Sequence, residues 1–240
     1  MNHPWIRIVL AISVLSVCFS SAEAQLYNDV TESPKSQKLE IKMSPYSPEI
    51  GAGKSAYDAV FGDESMFVVK LAYDYEVYQG VGVITLGGEI GYGTISGKGL
   101  DPSTGEQTSD DTRLQLIPMA VNLGYHFDYL MTEYDVPLVP YVEGGMDYVI
   151  WIITNGSGGL SRVGDGRSDG GTFGVHVSAG LKFQLDSLSK RMASEFDADA
   201  GVNNTYLFAE YNYGWINDFG DSDSFSWGGH NVFFGLEFEF

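Results

Sequence analysis

Hydrophobic and polar residues alternate one by one over eight segments of this 240-residue chain. In the last segment Phe234, Leu236 and Phe238 fall on one face, while Glu237 and Glu239 fall on the other. Successive side chains of a β-strand point to opposite sides, so this period of two predicts strands with one apolar and one polar face. The eight segments are 38–46, 65–79, 82–96, 113–128, 138–153, 172–185, 205–217 and 231–240.

The connections between these segments fall into two length classes. Short turns are expected at Gly80 and in 129–137, and they alternate with long connections. This alternation is typical of an up-and-down barrel with extracellular loops at one end and periplasmic turns at the other. A glycine count of 30 and an aromatic content of 14% also favour a large antiparallel β structure. The long connections, rich in Gly, Ser and Asp, are 47–64, 97–112, 154–171 and 218–230.

One connection, 186–202, is long where a short turn is expected. Leu185, Leu188, Met192 and Phe196 recur there at helical spacing, which predicts a short amphipathic helix at the periplasmic rim. Beyond the N-terminal region no window contains 18 apolar residues, as a helical membrane span would require.

The two strand faces have different meanings in a soluble protein and in a membrane. A soluble sandwich buries the apolar face, whereas a membrane barrel turns that face to lipid and fills its lumen with polar groups. Aromatic residues such as Tyr73, Tyr125 and Trp215 lie near the strand ends, as interfacial girdles require. We therefore predict an all-β fold, an eight-stranded antiparallel up-and-down transmembrane β-barrel with one short periplasmic helix.

The interior of an eight-stranded barrel is just wide enough for side chains to fill it. The charged residues of the polar faces should then form a buried network, in which acids outnumber bases and some water is needed. We expect either a structural polar plug or a narrow passage that favours cations. The predicted members are Lys42, Lys70, Asp74, Glu89, Glu143, Asp147, Lys182, Glu210 and Glu237, together with Glu40 and Glu76 on the same polar faces.

The first 24 residues have the pattern of a secretory signal peptide. Arg7 is followed by the apolar segment 8–19, and Ala22-Glu23-Ala24 provides a small-residue cleavage site after Ala24. A lipoprotein signal ending at Cys18, the single cysteine, is the alternative. The predicted organisation is a signal peptide 1–24, a periplasmic segment 25–37 and a barrel 38–240.

The chain resembles the small eight-stranded outer-membrane β-barrels of the OmpA/OmpX/OmpW-like group. In that group a last strand of alternating apolar residues ending in Phe is the signal for the barrel-assembly machinery, and Phe234, Leu236, Phe238 and Phe240 match it. Segments 42–46, 57–62 and 208–211 more narrowly resemble an uncharacterised myxobacterial-type barrel family, which implies no reaction. The resemblance implies location in the outer membrane of a Gram-negative bacterium.

Several motifs suggest chemistry but lack essential elements. Segment 51–55 has the end of a phosphate-binding loop, but Pro48 stands where that loop needs glycine. His176 and Ser178 resemble the His-x-Ser pair of outer-membrane lipid A deacylases, yet no orienting acid follows on the next strand. No catalytic residue is therefore assigned.

The sequence also lacks the usual patterns for binding ions or nucleic acids. The acidic stretches 165–169 and 218–223 lack the spacing of an EF-hand, so weak cation binding or bridging to lipopolysaccharide are alternatives to solvated loops. His3, His126, His176 and His230 are scattered, so we predict no metal site and no cofactor. A net charge of -19 argues against nucleic-acid binding.

From the sequence, the expected function is that of a small integral outer-membrane protein with a structural, adhesive or small-solute porin-like role, not an enzyme. The expected partners are outer-membrane lipid, lipopolysaccharide and the assembly machinery, and the oligomeric state is left open. Two alternatives remain: an acyl hydrolase that modifies outer-membrane lipid, and a soluble periplasmic β-barrel that binds a lipophilic ligand.

Overall fold

The chain folds into one closed antiparallel β-barrel. The computed structural model describes residues 36–49, 55–100, 107–157, 159–160, 168–188, 200–220 and 225–240. In chain order the elements are β1 (Gln37–Tyr46), α1 (Ser55–Phe61), β2 (Met66–Gln79), β3 (Val83–Leu100), β4 (Gln107–His126), α2 (Tyr129–Tyr134), β5 (Leu138–Asn155), β6 (Asp169–Gln184), a single 3-10 turn (Leu185–Leu188), β7 (Asn204–Ile216) and β8 (Gly229–Glu239).

Each strand pairs with its neighbours in sequence, and β1 pairs with β8 to close the barrel. In the closing pair Lys42 lies opposite Gly235, and on the other side of β1 it lies opposite Lys70. The eight-stranded, antiparallel, up-and-down architecture predicted from the alternation is confirmed. Every strand edge is paired in a closed barrel, so no strand edge remains along the wall.

The β3–β4 hairpin is longer than the alternation indicated. The β2–β3 pairing ends at Thr94, whereas β3–β4 pairing continues to Leu100 opposite Gln107. Much of segment 97–112 was predicted as a loop and is a hairpin. Ser96, Lys98, Asp111 and Arg113 on its outward face are exposed and polar, so backbone pairing continues there without an apolar face to mark it.

Short helices occur in two connections. α1 lies between β1 and β2, and α2 lies in the short connection between β4 and β5. Of the predicted helix within 186–202, the structure describes the 3-10 turn at Leu185–Leu188 and residues 200–202, while Met192 and Phe196 lie outside the described residues. Within the described ranges, no helix is long and apolar enough to cross a bilayer.

The barrel is polar inside and apolar outside over the half that carries the start of β1 and the end of β8. On β1 the burial alternates so that Glu40 and Lys42 are buried while Ile41 and Met43 are exposed. The same inversion holds on β4, where Asn122 is buried and Leu123 is 58% exposed. The signal peptide predicted for 1–24 and most of the segment 25–37 lie outside the described residues, although Gln37 is already part of β1.

The barrel interior as the candidate functional site

The charged residues predicted for the lumen all face the barrel interior. All but the half-buried Glu76 are at most 9% exposed, and they come from seven of the eight strands. Period-two alternation brings them there, since each occupies the polar face of its strand. These residues are Glu40, Lys42, Lys70, Asp74, Glu76, Glu89, Glu143, Asp147, Lys182, Glu210 and Glu237.

One group of the network is centred on Lys182 of β6. Its ammonium donates to Glu40 Oε1 at 3.1 Å and contacts the Glu237 carboxylate. The same ammonium lies 4.6 Å from the centre of the Tyr141 ring. Two carboxylates and an aromatic face therefore replace the water that this cation loses on burial.

A second group joins Lys42 and Lys70 through a shared carboxylate. Lys42 Nζ lies 2.9 Å from one Glu89 oxygen, and Lys70 Nζ lies 2.5 Å from the other. Lys42 Nζ is also 3.5 Å from Glu210, whose second oxygen accepts a 2.9 Å hydrogen bond from the Tyr141 hydroxyl. Tyr141 thus lies between the two lysine groups and contacts both.

A third group, at the end of the barrel that carries the start of β1, adds Lys38 and Glu239 to the predicted Glu76. Lys38 Nζ lies 3.1 Å from Glu76 and 3.6 Å from Glu239. The signal was present in the sequence, because Lys38 and Glu40 occupy the same face of β1 as Lys42. Glu239 also accepts from Asn204, which belongs to β7.

The fourth group consists of His176 between two acids of β5. His176 Nδ1 lies 2.8 Å from Asp147 Oδ2, and Nε2 lies 3.9 Å from Glu143 Oε1. Gly145 stands between those two acids in sequence and makes this approach possible. A Cβ there would lie 2.3 Å from Asn122 Oδ1 and 2.5 Å from the His176 ring.

The His176–Ser178 pair does not have the geometry of an activated nucleophile. Both residues face the lumen and are buried, so neither is reached by lipid around the barrel. Ser178 Oγ has no hydrogen-bond partner among the described residues, and the acids beside His176 come from the preceding strand. A general base within hydrogen-bond reach of the nucleophile is what acyl transfer requires.

Acids outnumber lysines in this interior. Asp74 forms no hydrogen bond or ion pair within the described part of the chain, and its carboxylate lies against Gly87. A cavity of about 50 Å³ adjoins Lys70, Asp147 and His176, and another of about 50 Å³ adjoins Lys38 and Lys182. Each has room for a few water molecules, which supply partners that the protein does not.

The opposite half of the interior, which contains Tyr57 of α1 and Trp227, is apolar, and there the prediction of a polar lumen is corrected. Trp227, which precedes β8, and Tyr57 of α1 are each 1% exposed and fill the barrel mouth. We call this cluster the aromatic plug; its buried members are Tyr57, Met66, Val68, Ile95, Leu114, Leu116, Val149, Trp151 and Trp227.

Part of the aromatic plug had a signal in the sequence. Residues 149–153 are apolar on both faces, unlike the alternating residues before them in β5. Such a run is expected where a strand is buried on one side by protein and faces an apolar medium on the other. Trp227 and Tyr57 gave no such signal, because they lie in connections between strands.

The periplasmic end of the lumen is covered by α2. Met131 of α2 accepts a hydrogen bond of 3.7 Å from the Tyr206 hydroxyl of β7, and Thr132 lines the lower cavity beside Lys38. His126, next to this end, contacts Thr85 at 3.2 Å and stacks on Tyr141.

The residues of the predicted insertion signal lie on the outer face of β8 or just beyond it. Phe234 is 55% exposed and Leu236 39% exposed, while Phe238 and Phe240 are half-buried. Their role as a signal for the assembly machinery stays a prediction.

The remaining motifs give no site. Most of the glycine-rich segment 51–55 and of the acidic stretch 165–169 lies outside the described residues. In the other acidic stretch Asp218 accepts a 2.7 Å hydrogen bond from the Phe173 backbone N–H, which ties that loop to β6. No group of three or more metal-ligating side chains occurs within the parts of the chain that the structure describes.

The chain was compared with family models, curated proteins and solved structures. No family model matches the chain, and no curated protein matches it. Among solved structures it is similar to a major outer membrane protein from Thermus thermophilus, with 10% identity, a TM-score of 0.49, and coverage of 85% of this chain and 99% of that one. It is also similar to the outer membrane protein OprG from Pseudomonas aeruginosa, with 12% identity, a TM-score of 0.45, and coverage of 88% and 99%.

A third similar structure is the outer membrane enzyme PagL, with 14% identity, a TM-score of 0.38, and coverage of 84% of this chain and 97% of that one. The similar structures thus include one described as an enzyme and one described only as an outer membrane protein. The function of the present chain is therefore argued from its own side chains. The narrower likeness to a myxobacterial-type family stays a prediction.

Proposed function

We propose that this protein is an integral outer-membrane β-barrel with a closed interior, and that it acts through its surface in a structural or adhesive role. One observation carries the proposal: charged side chains are inside and large apolar side chains are outside. Lys42 and Lys182 are 2% and 1% exposed, whereas Phe67, Leu123 and Met146 are 55%, 58% and 62% exposed.

This distribution is unfavourable in water. A large apolar side chain that stays in water lacks the stabilisation of about 1.5–3 kcal/mol that burial would give it. A few such side chains would offset the roughly 5–15 kcal/mol that stabilises a typical domain. The outer face is stable when its solvent is lipid, and closed barrels of this size span outer membranes.

A porin-like role has less support than a closed scaffold. The lysine–carboxylate groups cross the periplasmic half of the interior, and the aromatic plug fills the extracellular half. The cavity between them is about 50 Å³, lined above by Trp227 and below by Lys70. Small solutes or hydrated ions therefore meet packed side chains at two levels.

The extracellular side offers a surface instead of a pore. β3, β4 and β5 contain 18, 20 and 18 residues, longer than β2 with 14. From Thr94 the β3–β4 hairpin continues for six residues beyond its pairing with β2, which is about 20 Å at the rise of a strand. Such an extension supports an adhesive or structural role, with outer-membrane lipid and lipopolysaccharide as its partners.

The alternative functions are opposed by specific side chains. A barrel that stores a lipophilic ligand in a soluble form needs an apolar interior and a polar exterior, the reverse of β1 and β4 here. An acyl hydrolase that depends on Ser178 needs that hydroxyl near a base and near lipid, but Ser178 is buried in the lumen and lacks a hydrogen bond to His176.

Placement in the membrane is tested by two substitutions on one face of β4. Val121 lies in the middle of the apolar face, and Gln115 lies at its extracellular edge. We expect Val121→Arg to lower the free energy of unfolding by about 2–4 kcal/mol and Gln115→Arg by at most about 1 kcal/mol. Unfolding in urea from lipid vesicles gives both values, and a folded-band shift on unboiled SDS gels reports the barrel.

Two results would contradict the proposal. One is release of the wild-type protein from cells without detergent, with no mobility shift on boiling. The other is a Val121→Arg variant as stable as wild type, since an arginine on a water-exposed strand face costs little.

A further inference from the structure

The apolar outer surface ends abruptly on three adjacent strands. Ile117 of β4 lies opposite Ile150 of β5, and both are apolar. In the next outward-facing row Gln115 lies between Thr94 and Ile152, and in the row after that Arg113 lies between Ser96 and Thr154. Over two rows, the outer face of β3–β5 thus changes from apolar side chains to fully polar side chains.

The exposed cations of the described chain are concentrated at this boundary. Of the lysines and arginines in the described ranges, Lys38, Lys42, Lys70 and Lys182 are buried in the lumen. The remaining two, Lys98 and Arg113, are exposed and lie on the outer face of the β3–β4 hairpin. On a protein with a net charge of -19, this placement of both cations is informative.

The two cations line one groove. It has a volume of about 560 Å³, and its walls are Ser96–Lys98 of β3, Asp111–Arg113 of β4, and residues 154–157. Lys98 of β3 lies opposite Asp111 of β4, and Asp111 is two residues from Arg113 on the same strand. Lys98 and Arg113 are therefore diagonal neighbours about 7–8 Å apart, a distance that long side chains span easily. Hydroxyl groups of Ser96, Thr154 and Ser157 add donors to the same groove.

The existing contacts in the groove leave donors available. Arg113 Nε donates to Ser96 Oγ at 3.3 Å, which orients the guanidinium and leaves its terminal N–H groups for a ligand. Lys98 Nζ lies 2.6 Å from Asp111 Oδ1, and this contact lowers the pKa of the Asp111 carboxyl. Asp111 therefore holds Lys98 in place and adds a negative charge to the groove beside it.

We propose that this groove binds a phosphate of the outer-leaflet glycolipid lipid A, with Arg113 as the main contact and Lys98 as the second. The proposal rests on the membrane placement argued above and adds a site to it. Arginine suits phosphate because its planar fork makes two parallel hydrogen bonds. The acyl chains of the same lipid would then lie along the apolar rows that begin at Ile117 and Ile150.

A lipid phosphate suits this position better than a phosphate from solution. The groove opens on the outer face of the wall, directly above residues that face hydrocarbon, and so lies where lipid headgroups lie. A soluble anion approaching the extracellular tip would meet a protein of strongly negative charge.

The test uses the full-length folded barrel in detergent micelles, titrated with diphosphoryl lipid A and analysed by native mass spectrometry. The variants are the double substitution Lys98→Gln with Arg113→Gln, and the charge-conserving control Lys98→Arg with Arg113→Lys. Asp111→Asn is the third variant. A boiling-dependent mobility shift verifies that each variant is folded.

We expect the double glutamine variant to bind lipid A about tenfold or more weakly, since it loses charge-assisted hydrogen bonds to phosphate. The charge-conserving variant keeps both positive charges but moves the planar fork from position 113 to position 98, so it should lose clearly less affinity than the double glutamine variant. Asp111→Asn should bind more tightly, because it removes a negative charge that repels a phosphate in the groove. Dephosphorylated lipid A should bind as weakly to wild type as diphosphoryl lipid A binds to the double variant.

Three results would overturn the site: equal binding by wild type and the double glutamine variant, equal binding of dephosphorylated lipid A, or displacement of lipid A by equimolar inorganic phosphate. Failure of the membrane placement is detected separately, by the stability of Val121→Arg and by extraction without detergent. If the barrel passes those tests but binds diphosphoryl and dephosphorylated lipid A equally, only the proposed phosphate site in the groove is contradicted.

Discussion

At the residue scale, Lys182 shows what holds the interior together. Its ammonium is 1% exposed and contacts two carboxylates, Glu40 and Glu237. Removing a buried cation leaves its acids uncompensated, which costs more than the ion pair contributes. The strength of the network is thus best measured by deleting one cation.

We expect Lys182→Met to lower the free energy of unfolding by about 3–5 kcal/mol. The matched control is Lys98→Met, whose partner Asp111 is exposed, and its cost should be below about 1 kcal/mol. Urea unfolding from lipid vesicles, followed by tryptophan fluorescence, measures both. Equal losses for the two variants would show that the lumen pair is as well solvated as the surface pair.

Gly145 is a second residue whose importance follows from a close approach. Gly145→Ala would place a methyl group against Asn122 and His176, and we expect a loss of about 1–3 kcal/mol in the free energy of unfolding. At Gly144, which faces outward, a Cβ would come no nearer than 3.6 Å to the His176 carbonyl oxygen.

Gly144→Ala is therefore the control for Gly145→Ala, and its stability should equal that of wild type within about 0.5 kcal/mol. Both variants are compared in the same urea series. If Gly144→Ala were the more damaging of the two, the inward orientation of residue 145 would be wrong.

At the element scale, the connections between strands complete the barrel interior. The segment before β8 contributes Trp227, whose backbone N–H donates to the Ile216 carbonyl of β7 at 2.8 Å. α1 contributes Tyr57, whose hydroxyl donates to the Glu64 carbonyl oxygen at 3.0 Å. A turn and a helix therefore close the barrel mouth that the strands leave open.

We expect Trp227→Ala to lower the free energy of unfolding by about 3–5 kcal/mol, because a fully buried indole is replaced by a cavity. Phe225→Ala is the control, because the Phe225 ring packs edge-to-face against Trp151, with ring centres 4.6 Å apart, but is 42% exposed. Its loss should be less than half as large. Thermal or urea unfolding of the two variants checks this, and a Phe225→Ala loss as large as that of Trp227→Ala would contradict the plug.

At the scale of the whole molecule, the barrel interior is filled by two kinds of side chain, one after the other along the barrel axis. Ion pairs occupy the periplasmic half, and the aromatic plug occupies the extracellular half. Under the proposed function each half obstructs the lumen by itself, the first with ion-paired side chains and the second with packed apolar side chains. Removing one obstruction leaves the other in place.

We therefore expect no single-channel steps from the wild-type protein in a planar bilayer, and none from Trp227→Ala. A large porin inserted into the same bilayer serves as the positive control. Reproducible cation-selective current steps from wild type would instead support the narrow cation-favouring passage that the excess of acids in the lumen suggested. Steps from Trp227→Ala alone would show that the ionic half is permeable and that the aromatic plug is the gate.

The sequence by itself determined the strands and their two faces. Alternation with a period of two is a local property, and each segment carries enough residues for the apolar face to be assigned without knowing its neighbours. That is why the eight strands and the inward direction of Lys42, Lys70 and Lys182 follow directly from the printed chain. The same alternation also places the acids on the inward faces, although Lys38 was not among the predicted members of the network.

Only the tertiary structure decided which of these groups meet. Lys182 and Glu40 are 142 residues apart, and their contact depends on barrel closure between β1 and β8 and on the stagger of every strand between them. The aromatic plug depends on Trp227 and Tyr57, which come from connections that carry no periodic signal. Contacts across a closed barrel are set by register summed around the whole wall, and no short stretch of sequence contains that information.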